Sequence, residues 1–157
     1  MNAPASTSMP RALAPEHRST LLKTAREVSF PEGARLFEEG GRADRFWIIR
    51  GGVVDLHLRV PGRRPAVIES LGHDELLGWS WLFGPHAWRL GARAVTPVRA
   101  WEFDAEAVRG QFRDDPAFGL AVALWAGEVV AHRLHAARTR LLDLYGPYGS
   151  GAGDDEA

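Results

Sequence analysis

The 157-residue chain contains no cysteine. Without thiols it cannot build a disulfide scaffold, a thiolate metal site or an iron–sulfur cluster. The chain also lacks an excess of charge of either sign, since 19 Lys and Arg residues against 20 Asp and Glu residues leave a formal net charge of −1. That balance argues against a protein that holds nucleic acid by bulk electrostatic attraction. Together these absences favour a soluble cytoplasmic protein.

Long apolar runs are absent as well. The most apolar long run, residues 117–126, is far shorter than the roughly 20 residues needed to cross a bilayer. Residues 1–15 are rich in Ala, Pro, Ser and Thr and lack the apolar core of a signal peptide. We therefore predict a disordered segment over residues 1–15 and no membrane association.

Motifs for catalysis and metal binding are few. Serine is scarce and no nucleophile-elbow motif is present, so we do not expect an enzyme. Glu128, His132 and His135 have the i, i+4, i+7 spacing that places them on one face of a helix, but no fourth ligand accompanies them. We predict no metal site.

In the first two thirds of the chain, apolar and polar residues alternate as they do in β-strands. Residues 53–60 place Val54, Leu56, Leu58 and Val60 on one face. Turn signals recur every eight to twelve residues, which predicts a small antiparallel barrel or sandwich. The other predicted strands are residues 34–37, 46–49, 66–71, 93–95 and 98–103, preceded by a short helix over residues 16–26.

The remainder of the chain is predicted to be helical. Asp104 caps a short helix, and a second helix over residues 115–144 begins with an Asp cap and a proline near its first position. This long helix carries two apolar stripes. The first is a coiled-coil seam formed by Leu120, Ala123, Gly127, Val130, Leu134, Ala137, Leu141 and Leu144. The second, on another face, is formed by Phe118, Val122, Trp125 and Val129. We expect one stripe to pack on the β scaffold and the other on a second copy.

Residues 71–83, where the β-strand pattern ends and an aromatic cluster begins, form the stretch around which we expect the rest of the domain to be built. Gly78 is followed there by Trp79, Ser80 and Trp81. A glycine before the first turn of a helix lets backbone N–H groups point into a concavity, where the helix start carries about half a positive charge. This arrangement predicts a site for an anionic ligand at Gly78.

Three segments, residues 30–40, 46–53 and 71–78, resemble the cyclic-nucleotide-binding domain of the catabolite-activator and fumarate–nitrate-regulator superfamily. The resemblance implies a mainly β fold with flanking helices: an eight-stranded double-stranded β-helix (jelly roll), a short phosphate-cassette helix near Gly78 and a long C-terminal dimerisation helix. We therefore predict a cyclic-nucleotide-binding-like domain over residues 16–145 that forms a homodimer through this helix.

At the cassette the sequence departs from the family pattern. The resemblance implies a Glu that binds the ribose hydroxyl and, about ten residues later, an Arg that binds the cyclic phosphate. Trp79 stands at the Glu position, and Trp88 at the Arg position with Arg89 next to it. Because strand side chains alternate faces, Arg89 should point away from the site unless the shortened cassette shifts the register. Loss of the ribose acceptor removes a bond worth roughly 1.5–3 kcal/mol.

Three interpretations of the concavity stay open. The domain binds cyclic AMP or cyclic GMP through backbone donors and Arg89, and requires no other cofactor. Alternatively, the tryptophans stack a different small apolar or aromatic ligand, or they fill the concavity and leave a ligand-free interaction module. The candidate ligand-binding residues, including two at the place where the family's long helix touches the purine, are Gly78, Trp79, Ser80, Trp81, Trp88, Arg89, Arg138 and Thr139.

The last segment bears on DNA binding. In transcription factors of this superfamily a helix-turn-helix domain follows the long helix. Residues 146–157 are instead Gly-rich and end with Asp154, Asp155 and Glu156, so we predict a disordered acidic tail that repels phosphates. We expect that this chain does not bind operator DNA by itself and acts as a stand-alone sensor or adaptor module.

Overall fold

A computed structural model describes residues 8–150, with side chains for residues 8–143. Eight strands form two antiparallel four-stranded sheets, in the orders β1-β8-β3-β6 and β2-β7-β4-β5. In chain order the strands are β1 (Arg26–Phe30), β2 (Arg35–Phe37), β3 (Arg45–Gly51), β4 (Val54–Leu58), β5 (Ala66–Leu71), β6 (Leu76–Leu77), β7 (Gly91–Ala94) and β8 (Val98–Asp104). The predicted eight-stranded jelly roll is confirmed.

Four helices flank the sheets: α1 (Met9–Ala12), α2 (Pro15–Leu22), α3 (Ala105–Asp114) and α4 (Pro116–Ser150). The caps of the last two follow from the sequence. Asp104 accepts a hydrogen bond from the Ala107 amide at 3.0 Å, and Asp115 accepts one from the Phe118 amide at 3.1 Å. Each cap satisfies a donor that the first turn of a helix leaves unpaired.

The core lies between the inner faces of the two sheets and under α4. Alternation along β4 buries Val54 and Leu56 and leaves Asp55 and His57 on the outer face. An aromatic stack at one end of the core joins Trp81 to Phe46 (ring centroids 4.1 Å apart) and Phe46 to Phe103 (4.7 Å). This stack holds the stretch that follows β6 against the sheet that contains β3.

The N-terminal prediction is wrong at residues 8–15. Met9 and Leu13 are only 7% and 2% exposed, and the Met9 amide donates to the Asp74 carbonyl at 3.0 Å. Two apolar side chains find a place in the core there, so this part of the polar-looking segment is ordered. The predicted helix over 16–26 also ends early, because residues 26–30 pair with β8 as an unpredicted strand. Residues 1–7 lie outside the described residues.

Helix α4 begins one residue after the predicted start and runs past residue 144 to Ser150. Gly146 and Pro147 do not end it; a proline costs a helix one hydrogen bond, but its φ is compatible with helical geometry. The prediction of a disordered tail is therefore wrong at residues 146–150. The rest of that tail, residues 151–157, lies outside the described residues.

The two predicted stripes of α4 differ in exposure. Phe118, Val122, Trp125 and Val129 are at most 4% exposed, as expected for a core stripe. The seam faces water: Leu120, Leu134 and Leu141 are 62%, 51% and 54% exposed.

In the described part of the chain one segment, Pro116–Asp143 of α4, has the length and composition of a membrane span, and its most apolar 18-residue window has a mean hydropathy of 1.3. A third of its most apolar window is buried inside the domain (33%), so part of this apolarity serves the core.

Candidate functional site

Gly78 lies where the backbone needs a residue without a side chain. Its φ of +94° falls in a region that L side chains rarely adopt. A Cβ there would also lie 2.7 Å from the indole of Trp88. Trp88 is 6% exposed and stacks on Phe37 with ring centroids 3.9 Å apart. The Trp88 indole therefore lies against the Gly78 backbone.

The predicted cassette helix is reduced to one 3₁₀ turn, Ser80–Leu82. The fully buried Trp81 donates from its indole N–H to the Gly78 carbonyl at 3.1 Å. Arg109 of α3 donates to the Trp81 carbonyl at 2.6 Å. Three residues align few peptide dipoles, so this turn has less of the positive end that a longer helix offers to an anion. The site for an anionic ligand at Gly78 stays a prediction. The buried indole of Trp81 holds the turn to the core.

Trp88 and Arg89 follow the alternation that the sequence predicts. Trp88 points into the roll, and Arg89 is exposed at the mouth of the cavity under Gly78. Trp79, beside Gly78, is half-buried and meets Phe83 edge to face at 6.1 Å. In the described conformation aromatic rings fill this region.

The cavity under Gly78 has a volume of only about 30 Å³. Five of the candidate residues line it: Gly78, Trp79, Ser80, Trp88 and Arg89. Trp81 lies in the core instead. Arg138 and Thr139 are exposed on α4 and do not line the cavity. Small-molecule sites are typically 300–1,000 Å³, so this space holds about a water molecule rather than a nucleotide.

Sequence reasoning missed Arg133, which reaches from α4 to the same cavity. Its guanidinium donates to the Leu76 carbonyl at 2.5 Å. Its Nε lies 3.3 Å from a Glu69 carboxylate oxygen, yet neither of these buried atoms makes a hydrogen bond. Burial lowers the pKa of Arg133 from its usual value, and the carboxylates of Glu69 and Glu75 offset part of that effect. Arg133 and Glu69 thus tie α4 to β5 and β6.

The three residues considered as metal ligands do not converge. His132 lies 3.5 Å from Glu69, whereas Glu128 and His135 are exposed. Across residues 8–143 no group of three or more His, Asp and Glu side chains is placed to hold a metal ion. His132 instead packs beside Glu69.

Comparison with known proteins assigns the fold to a family. The sequence profile of the cyclic nucleotide-binding domain matches residues 27–115, more than half of the chain. The chain belongs to the cyclic nucleotide-binding domain family. The resemblance in residues 30–40, 46–53 and 71–78 is thereby confirmed. This is a regulatory rather than an enzymatic family.

Similar proteins are regulators of the Crp–Fnr superfamily. The CRP-like cAMP-activated global transcriptional regulator of Mycobacterium tuberculosis is 31% identical over 130 residues, which is 83% of this chain and 56% of that protein. The catabolite activator protein of Thermus thermophilus is 25% identical with a TM-score of 0.68, over 85% of this chain and 61% of that one.

The N-terminal domain of a transcriptional regulator from Streptomyces coelicolor A3(2) is 26% identical with a TM-score of 0.65, over 76% of this chain and 86% of that one. The chain spans little more than half of the length of the mycobacterial regulator. The similarity therefore concerns the sensor domain with its long helix.

Proposed function

We propose that this chain is a cytoplasmic regulatory module that pairs with a second copy through α4. The exposed face of α4 carries this proposal. Five leucines on the helix are 51–70% exposed, namely Leu120, Leu124, Leu134, Leu141 and Leu142. Complete burial of a leucine contributes roughly 1.5–3 kcal/mol, and monomers seldom leave a continuous apolar stripe in water.

The spacing of the exposed stripe suits a two-fold helix pair. Leu120, Gly127, Leu134 and Leu141 recur every seven residues, as the first core position of a heptad does. In a parallel, two-fold pair each of these residues meets its own copy. The opposite face of α4 stays in the core of its own domain. A change in the orientation of α4 relative to the sheets therefore changes the surface that the paired helices present to a partner.

A closed cavity is the second part of the proposal. Entry of a cyclic nucleotide requires Trp88 to leave Gly78 and Arg133 to leave the space beside Glu69. With both side chains in place, the cavity has a volume of only about 30 Å³, which is too small for a nucleotide. We infer that contacts within the chain, above all those of Arg133, set the pose of α4 without a ligand. Binding of operator DNA by this chain alone is not part of the proposed function.

Oligomeric state tests the pairing. By light scattering after size exclusion, the intact chain should have twice the mass of a monomer. Leu134→Ser should elute as a folded monomer, whereas His135→Ser, one residue along on the exposed side of the same helix, should stay dimeric. A monomeric wild-type chain would refute the proposed pairing.

Cyclic nucleotides test the closed cavity. Because a ligand that binds only the folded state stabilises it by RT ln(1 + [L]/Kd), cyclic AMP and cyclic GMP should leave the melting temperature unchanged. A second candidate function, a cyclic-nucleotide sensor, is favoured by Arg89 at the cavity mouth and by the cAMP-activated mycobacterial relative. A concentration-dependent rise in melting temperature that Arg89→Gln abolishes would establish that function instead.

A further inference from the structure

A second cavity, of about 460 Å³, lies on the outer face of the β2-β7-β4-β5 sheet. Its volume is in the range of small-molecule sites. Three arginines and a histidine line it against two carboxylates: Arg35, His57, Arg64 and Arg93, with Glu32 and Asp55. We propose that this outer cavity binds a small organic phosphate, in which a polyanion is joined to a flat ring.

Two of the cations in the outer cavity lack partners. Arg64 and Arg93 make no hydrogen bond or ion pair with any other described residue. Asp55, across the sheet from Arg93, instead accepts a hydrogen bond from Ser70. Arginine is suited to phosphate because its planar fork matches two phosphate oxygens at once.

Strand register places two like charges side by side. Arg35 of β2 is directly opposite Arg93 of β7. Like charges in that position destabilise a sheet. Residues two apart in a regular strand share a face, but the register shifts between Arg35 and Phe37, and the two side chains lie on opposite faces. Phe37 turns to Trp88 in the core, and Arg35 lines the outer cavity. A bound phosphate relieves the repulsion between the two arginines.

The floor of the outer cavity is flat and weakly polar. The ring of His57 packs so closely on β7 that a Cβ at Gly91 would lie 2.4 Å from its Nε2. Val67, directly opposite His57 in β5, is 38% exposed, and Val95 at the other end of the cavity is 43% exposed. The imidazole of His57 beside Val67 suits the face of a planar ring, while Arg64 and Arg93 receive the charged part of the ligand.

Isothermal titration of the intact chain with ADP and with pyrophosphate tests this site. ADP should bind, pyrophosphate should bind more weakly, and added salt should weaken both. Arg93→Gln and Arg64→Gln should each weaken ADP binding about tenfold. Arg93→Gln should change the melting temperature little, since it removes both a like charge opposite Arg35 and an opposite charge across from Asp55.

Two control variants locate the ligand. Arg59→Gln removes an exposed arginine outside the outer cavity and should leave ADP binding unchanged, as should Arg89→Gln at the internal cavity. Binding should also persist in Leu134→Ser, which separates this site from the pairing of α4. No heat with either ligand, or a loss of binding with Arg89→Gln but not with Arg93→Gln, would overturn the site. Equal affinities for the two ligands would overturn the role of the flat floor.

Discussion

At residue scale, two side chains that line the cavity under Gly78 leave little space in it. Trp88 follows the 3₁₀ turn and lies on Gly78, and Arg133 comes from α4 to Glu69 and the Leu76 carbonyl. The first contact depends on a glycine, and the second joins a buried guanidinium to a carboxylate. Each can be removed by a single substitution.

Substitution of Gly78 tests the first contact. Gly78→Ala forces an L side chain to φ +94° and into the Trp88 indole 2.7 Å away, so it should destabilise the fold by about 1–3 kcal/mol. Gly110→Ala is the matched control, because a Cβ at this helical position meets nothing within 4 Å. It should raise stability by up to about 1 kcal/mol. Urea denaturation measures both, and equal effects would contradict the role of Gly78.

A double-mutant cycle tests the second contact. Glu69→Gln leaves Arg133 buried beside a neutral partner and should cost about 3 kcal/mol, the usual loss when one member of a buried ion pair is removed. Arg133→Met should cost less, and in that background Glu69→Gln should have a much smaller effect. Glu128→Gln, at an exposed carboxylate of the same helix, should change stability by less than about 0.5 kcal/mol. Additive effects of the two changes would show that the pair is not coupled.

The residue-scale prediction from sequence was partial. Alternation along a strand predicts that Trp88 is inside and Arg89 outside, because it requires only local geometry. The role of Arg133 depends on a contact with residues some sixty positions away, and a lone arginine on a helix is usually solvated. One signal was available: Arg133 stands four residues after Val129, where the core stripe of α4 continues.

At the scale of elements, α4 serves two surfaces at once. Its N-terminal cap and its start are readable from the Asp and Pro at residues 115 and 116, and its two stripes from the helical repeat. Its end was not, since Gly146 and Pro147 do not stop it. Strand β1 was not, since Arg26–Phe30 has mixed character and becomes a strand by pairing with β8. The short cassette helix predicted after Gly78 is present as the 3₁₀ turn Ser80–Leu82, which the buried Trp81 holds to the core.

Neighbouring positions on α4 should respond differently to truncation. Phe118→Ala empties a fully buried site and should destabilise the domain by about 3–5 kcal/mol. Leu120→Ala, at a residue 62% exposed on the domain, should leave the stability of the isolated domain within about 1 kcal/mol and act on pairing. Urea denaturation, at a protein concentration low enough for the dimer to dissociate, measures the stability of the two variants. Similar losses at both positions would mean that the two faces are not distinct.

At the scale of the whole molecule, the jelly roll, its two sheets and the long helix follow from alternation, turn signals and family resemblance. The volume of the cavity under Gly78 could not be predicted in this way, because it depends on how side chains from several elements pack together. The outer cavity likewise could not be predicted, because one of its lining residues, Arg35, lies beside a register shift that no local sequence pattern indicates. Both features bear on which ligand the molecule holds, whereas the two stripes of α4 bear on how copies meet.

Pairing through α4 is tested most simply by cross-linking, since the chain has no cysteine of its own. A disulfide requires Cα atoms about 4.4–6.8 Å apart. In a parallel two-fold pair Leu134 meets its own copy, whereas His135 points away from the seam. Under mild oxidation Leu134→Cys should form a disulfide-linked dimer and His135→Cys should stay monomeric on a non-reducing gel. No cross-link in Leu134→Cys, or equal cross-linking of the two variants, would contradict the proposed helix pair.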